Sequence, residues 1–193
     1  MSEHVTYAAF LRAVNLGRTR KLPMARVREV LPTELGLDPV KTHIASGNIL
    51  FGVPPESAQA NEGTDAAAAR HAEAIARVLG EVAGFEVPTV VLTPPALAQV
   101  LAEEPYDPAV AKHVNVALVQ GKVPAALRAR VEAIADRAVD GEGITVGARA
   151  IYLHVPHSIH ASKLAAAYGR AAPEATARNL ATVRTMAELL AAL

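Results

Sequence analysis

The sequence contains no cysteine and no tryptophan, and only three phenylalanines and four tyrosines stand among its 193 residues. Without a thiol the chain can form no disulfide, thiolate nucleophile, cysteine-ligated zinc site or cysteine-held iron–sulfur cluster. It also lacks an excess of charge of either sign, with 19 Lys and Arg against 19 Asp and Glu and an isoelectric point near 7.1. That balance excludes a protein whose whole surface attracts DNA or anionic lipid, so any basic site has to be local. No apolar run approaches the roughly 20 residues that span a bilayer. The opening stretch carries Glu3 and a short apolar run ending at Arg12, unlike a signal or transit peptide, so a cytoplasmic protein without membrane partners is expected. Neither G-x-G-x-x-G nor the P-loop pattern occurs, which disfavours a Rossmann dinucleotide site or a Walker-type triphosphatase. The G-x-S-x-G elbow is absent too.

What is present is 51% hydrophobic residues, enough for a sizeable core in one large domain or two small ones. Alanine, about a fifth of the chain, raises helix propensity nearly everywhere, so β-branched runs are the more informative signal. Val5–Arg12 reads as a strand followed by turn chemistry at Asn15-Leu-Gly17. A helix is predicted from Met24 to Leu35, with Pro23 in its first turn, Gly36 as its stop and Pro32 as a point where it could end early. Val40–Ile44 and Ile49–Val53 form a hairpin across Ala45-Ser46-Gly47-Asn48. After a polar loop, a helix over Ala66–Ala83 and a strand over Val87–Leu92 complete a split βαβ pattern.

Similar signals then recur. Thr93 caps a short helix to Ala102, Glu103–Ala109 reads as a linker, and Val114–Val119 is a strand. Pro124–Val139 is predicted helical, Ile144–Val146 and Ile151–Val155 form a hairpin, and Ser158–Tyr168 and Asn179–Leu193 are helical, with no evident last strand. The expected fold class is α+β, two ferredoxin-like (split βαβ) units with antiparallel sheets and helices packed on one face. The first unit covers residues 1–93; the second covers 94–193 with an additional C-terminal helix.

Charge is segregated along the chain. Six cations and no acid lie between Arg12 and Arg28, nine acids and two cations between Glu56 and Asp107, and cations alone between Gly143 and Pro173. Such runs commonly form solvated faces. In a split βαβ unit, however, the loop after the first strand and the hairpin between the second and third strands emerge at the same end of the sheet. Asn15, Arg18, Arg20 and Lys21 would then stand near Ser46 and Asn48, with backbone N–H groups of the Gly17 and Gly47 turns. These groups are all hydrogen-bond donors and several are charged, which suits an anion and not an acid–base pair. The plainer reading of Ser46 and Asn48 is turn-making through side chain to backbone bonds.

His154, His157 and His160 recur at intervals of three between a strand and a helix. Pro156 imposes an extended turn between the first two, which favours a hydrogen-bonded turn cluster, and no metal or other cofactor is assigned. Ser158 and Ser162 lie close to these histidines. No acid from Gly143 to Pro173 can orient an imidazole, so a hydrolase triad is not supported. In the C-terminal segment Thr176 or Asn179 can cap a helix, and Arg178 and Thr182 fall four apart. An arginine in a first turn opposes the helix dipole unless Glu174 or a bound anion balances it.

LRAVNLG (Leu11–Gly17), Met24, SGNILF (Ser46–Phe51), SKL (Ser162–Leu164) and ATARNLATV (Ala175–Val183) together resemble the bacterial family called domain of unknown function 1697, nearly end to end. The resemblance implies two ferredoxin-like units and no established activity. Leu180 stands where the family usually has Trp, Ile159-His160-Ala161 replaces a more glycine- and basic-rich stretch, and Arg18 sits where a second glycine is common. Arg12, Asn15, Ser46, Gly47, Asn48, Lys163, Arg178 and Asn179 match the family motifs and overlap the donor set. The expected site is therefore Arg12, Asn15, Arg18, Lys21, Ser46, Gly47, Asn48, Lys163, Arg178, Asn179 and Thr182, taking a phosphate-bearing small ligand, either a nucleotide or a short nucleic acid. Two alternatives stand beside it. One is an enzyme acting on a phosphorylated or carboxylated metabolite through Lys163 or a histidine. The other is a structural or self-association module using the C-terminal helix.

Overall fold

The computed structural model describes residues 4–17, 19–59 and 61–193. The chain divides into two compact units, Met1–Leu97 with Met186–Leu193, and Ala98–Thr185. In the first, β1 (Val5–Leu11), α1 (Met24–Leu35), β2 (Val40–His43), β3 (Asn48–Val53), α2 (Asp65–Ala83) and β4 (Thr89–Leu92) follow in order. Their sheet runs β2-β3-β1-β4 with every neighbouring pair antiparallel, the ferredoxin-like arrangement. α3 (Pro94–Ala102) follows, its Thr93 hydroxyl accepting from the Ala96 N–H at 3.2 Å.

Alternation explains how this sheet is held. Tyr7, Ala9 and Leu11 of β1 share a core with Ile49, Phe51 and Val53 of β3, Val27, Val30 and Leu31 of α1, and Ile75, Val78 and Leu79 of α2. The intervening residues Ala8, Phe10, Leu50, Val90 and Leu92 are buried as well, so these strands read as continuous apolar runs. Pro32 does not end α1 early. The helix continues to Leu35 and stops where Gly36 turns left-handed (φ 63°) and donates its N–H to Pro32 O.

The second unit contains β5 (Val114–Leu118), α4 (Ala125–Glu132), β6 (Gly143–Val146), β7 (Ala150–His154), α5 (Lys163–Ala171) and β8 (Thr176–Asn179), followed by α6 (Leu180–Ala191). Its sheet order is β6-β7-β5-β8, again wholly antiparallel. Ala117 and Ile151 pack with Leu127 and Val131 of α4, and Leu153 and Val155 pack with Leu164 of α5.

Four sequence expectations are corrected here. The helix expected over Pro124–Val139 stops at Glu132 and gives way to a 3-10 turn, Ala135–Arg137, because the buried stripe ends at Val131 and the 3-10 turn buries no residue. Helix α5 begins at Lys163, not Ser158; Ser162 caps it, its hydroxyl accepting from Ala165 N–H at 2.9 Å, and Ser158–Ala161 form a turn. The segment expected to lie in a Glu103–Ala109 linker ends in a 3-10 helix, Pro108–His113. The unforeseen last strand is β8, and it removes Arg178 from the helix. Arg178 pairs with Val116 in the sheet, while Asn179 caps α6 by accepting from Thr182 N–H at 2.7 Å.

Candidate functional site

At the end of β1 the loop following it and the β2–β3 hairpin are joined directly. Leu11 N–H donates to Gly47 O at 2.8 Å. Gly47 adopts φ 82°, and a Cβ there would stand 2.7 Å from Leu11 Cβ and 2.8 Å from Val14 Cγ2, so the approach requires glycine. Asn15 does the rest. Its Oδ1 accepts from Leu22 N–H at 2.9 Å, and its Nδ2 donates to Leu22 O at 2.9 Å and to Ala45 O at 2.7 Å. One side chain thus closes the loop from residue 15 to 22 and fastens it to the hairpin. Asn48 is wholly buried, and its Nδ2 donates to His43 O and to Ser46 Oγ, both at 3.1 Å.

Arg20 is also committed internally. Its Nε donates to Ala13 O at 2.6 Å and its Nη2 to Glu86 O at 2.5 Å, with the guanidinium 4.5 Å from the centre of the Phe85 ring. Among the described residues of these two loops, the non-glycine residues Ala13, Asn15, Arg20 and Ile44 have φ between 51° and 56°. Left-handed backbone at Ala13 and Ile44 costs on the order of 1 kcal/mol each, and such strain gathers where surrounding contacts impose a shape.

The shape is a cleft of about 640 Å³ between the loop, the hairpin and the start of α1. Asn15, Leu22, Met24, Thr42, Ile44 and Ala45 line it, with Lys21 and Arg28 as its cations and no acid among the lining residues. Lys21 Nζ donates to Gly17 O at 2.6 Å and Arg28 Nη1 to Thr42 Oγ1 at 2.5 Å. Neither makes an ion pair among the described residues. Pro23 precedes α1 with no side-chain cap and no acid in the first turn, and Pro23 and Met24 line the cleft, so the positive end of the helix borders it.

Of the expected site residues, the structure therefore brings together Asn15, Lys21, Ser46, Gly47 and Asn48, with Arg12 following β1, its backbone N–H on Pro88 O at 2.8 Å. Arg18 lies outside the described residues. Arg28 and Thr42 are additions; the sequence signal for Arg28 is its place in the acid-free cation run, one turn into α1, while Thr42 of β2 carries none. Lys163, Arg178, Asn179 and Thr182 belong to the second unit. There Lys163 is exposed at the start of α5, and Arg178 is half-buried with Nη1 on Ala177 O at 2.8 Å; burial lowers its guanidinium to about 10.

The histidines resolve differently. His157 Nε2 lies 3.0 Å from Oε1 of Glu142, a carboxylate with no exposed surface. A hydrogen bond from Ser162 holds Glu142 below the ordinary carboxylate range; burial opposes the shift, while Val139 N–H and the His157 charge assist it. Glu142 thus stands between the serine and the imidazole, and Ser162 is a buried helix cap bonded to that carboxylate and, among the described residues, to no histidine. His154 Nδ1 instead meets Gly141 O at 3.0 Å, and His160 is exposed. Among the described residues no three His, Asp or Glu side chains form a group able to hold a metal ion.

A second buried carboxylate, Glu62, was not foreseen either. Its Oε2 accepts from Tyr7 Oη at 2.7 Å and lies 2.9 Å from His71 Nε2, while Oε1 is 3.1 Å from Arg70 Nη2. Tyr7 Oη in turn accepts from Gly63 N–H at 2.7 Å. Burial alone would raise Glu62, but the bonds from Tyr7 and His71 and the charges of His71 and Arg70 outweigh it and hold the carboxyl low. Burial, with the bond to Glu62, pushes the Tyr7 phenol well above its ordinary value. No spacing rule marks Glu62, because loop folding brings it to its partners.

The sequence pattern of the family described as "Protein of unknown function (DUF1697)" matches residues 5–152. No curated protein matches the chain. Among solved structures, a conserved bacterial protein, SP0830 from Streptococcus pneumoniae, is similar at 19% identity and a TM-score of 0.68, over 98% of this chain and 99% of that one. That likeness concerns the fold. Among the described residues no helix is long and apolar enough to cross a membrane.

Proposed function

The chain belongs to the DUF1697 family, a membership that carries no activity with it, and from the cleft of the first unit we propose that it binds a phosphate-bearing small ligand. One observation carries this reading: Lys21 and Arg28 flank an acid-free cleft and, among the described residues, bond to neutral oxygens and to no carboxylate. A phosphate placed between them would meet two cations and the positive end of α1. Leu22, Met24 and Ile44 supply an apolar wall for the remainder of the ligand. The cleft volume lies within the range of about 300–1,000 Å³ usual for small-ligand sites.

Neither a carboxylate nor an imidazole lines the cleft, which favours binding over proton transfer. A mononucleotide suits it better than a nucleic-acid strand. Tyr7, Phe10 and Phe51 are wholly buried, so the sheet offers no aromatic surface for base stacking. The proposal includes a cytoplasmic location, where such metabolites are abundant, and cell fractionation checks that part.

The test is calorimetric titration of the full chain with adenosine monophosphate and with inorganic phosphate. Wild type should bind, and Lys21→Ala or Arg28→Ala should each weaken binding about tenfold or more, as expected for a lost charge-assisted bond of ~1.5–3 kcal/mol. Rising salt should weaken it further. Failure of wild type to bind either compound, or equal binding by the double variant, refutes the reading.

A further inference from the structure

A second cavity, independent of that cleft, lies wholly within the second unit. It holds about 400 Å³ between α5 and the sheet formed by β7, β5 and β8. We infer that it is a binding site for an uncharged, planar nitrogen heteroaromatic ring, of which a nucleobase is the type.

Asn115 is the starting point. On the central strand β5 it falls in alternation with Ala117 and Val119, both of which face the apolar core, so its position calls for an apolar side chain. An amide stands there instead, half-buried, and makes no side-chain hydrogen bond among the described residues. It lines the cavity with an adjacent donor and acceptor, complementary to the paired edge of a base or a carboxamide. Leu153 and Ala177 make the sheet wall apolar and Ala165 and Ala166 the facing helix wall, and the three alanines carry only a methyl group, leaving room for a flat ring between the two walls. Tyr168 presents another aromatic wall, its hydroxyl buried without a partner. No acid, lysine or arginine lines the cavity, in contrast to the cleft of the first unit, so a charged guest is not favoured.

The rim is held in place. Ile159 and His160 belong to the turn closed by Ala161 N–H on Ser158 O at 3.0 Å. On one side of that turn His157 meets the buried Glu142 carboxylate, and on the other Ser162 caps α5. Both anchors converge on Glu142, whose pKa is lowered by Ser162 before any other partner. The cavity is thus preformed, as small-ligand sites usually are.

Adenosine, cytidine and nicotinamide, none of which carries a phosphate, are the probes, each added to labelled full-length protein and followed by NMR. At about 10 mM a site of millimolar affinity is filled. At least one probe should shift the Asn115 side-chain amide and the Ala166 methyl. Asn115→Leu should weaken that probe about tenfold or more, and Ala166→Phe, a change at an exposed helix position that projects into the cavity, should abolish the shifts with the fold intact. Absence of shifts with all three probes, shifts confined to other residues, or unchanged affinity in either folded variant overturns the inference.

Discussion

Replacing Glu62 by Gln removes one charge and almost no volume, and the structure sets the consequence. The carboxylate side chain is 6% exposed and accepts from Tyr7, which is wholly buried, and meets His71, which is 17% exposed. Hydrogen bonds to a charged group contribute ~1.5–3 kcal/mol against ~0.5–1.5 for neutral pairs, so two of them weaken by roughly 1 kcal/mol each. Arg70 is 43% exposed and adds little. The amide NH2 of Gln also confronts a donor, either Tyr7 or Arg70, which brings the expected loss to about 2–3 kcal/mol near pH 7. Because the native carboxyl is held low, this contribution is complete above the ordinary carboxylate range and disappears as pH falls through the depressed native value. Wild type and Glu62→Gln should therefore converge in acid. Hydrogen exchange is the suitable assay, since it reads the first unit locally, at the Gly63 N–H that rests on Tyr7 and at the β1 and β3 amides. A loss below about 0.5 kcal/mol at pH 7, or a gap that persists in acid, would show that the network does not stabilise the fold by ionic hydrogen bonding.

Gly47→Ala should destabilise the first unit by at least about 2 kcal/mol, since it combines a left-handed φ of 82° with a Cβ placed 2.7 Å from Leu11 Cβ; denaturant unfolding checks this, and a loss under 1 kcal/mol contradicts it. Tyr168→Phe should be neutral or stabilising by up to about 1 kcal/mol, because it deletes a buried hydroxyl that has no partner; thermal unfolding reads the sign, and a clear loss of stability would mean that the hydroxyl is satisfied.

The elements legible in the sequence were those whose periodicity survives alone. In β1 and β3 apolar runs flanked by turn residues are unambiguous, and in α2 the stripe of Ile75, Val78 and Leu79 sits at helical spacing. Strand β8 was hidden because Thr-Ala-Arg-Asn has weak strand propensity and is a strand only by pairing with β5. The end of α4 was misplaced because alanine keeps local helix propensity high after Val131 while packing contributes no further buried residue. The meeting of the first loop with the β2–β3 hairpin was legible from topology alone. The assignment of roles within it was not. A sequence cannot distinguish a donor free to meet a ligand from one already bonded to backbone oxygen, and Asn15, Asn48 and Arg20 proved to be of the second kind.

That distinction changes what the motifs LRAVNLG and SGNILF encode. Asn15 holds its own loop closed and ties it to Ala45, Gly47 permits the hairpin to lie on Leu11 and Val14, and Asn48 satisfies His43 O from within a wholly buried position. Each would be required whatever the cleft contains, because without them two strained loops carrying left-handed Ala13 and Ile44 would have no reason to adopt one conformation. The motif residues therefore hold in place the loops that frame the cleft, and of them only Asn15 lines it. Under the proposed function, discrimination among ligands would fall to the cleft-lining cations Lys21 and Arg28, which make no ion pair among the described residues, and to the apolar Met24 and Ile44. A change at Asn15 should accordingly disorder the site for every ligand, whereas a change at Arg28 should alter which ligand binds and leave the loops in place.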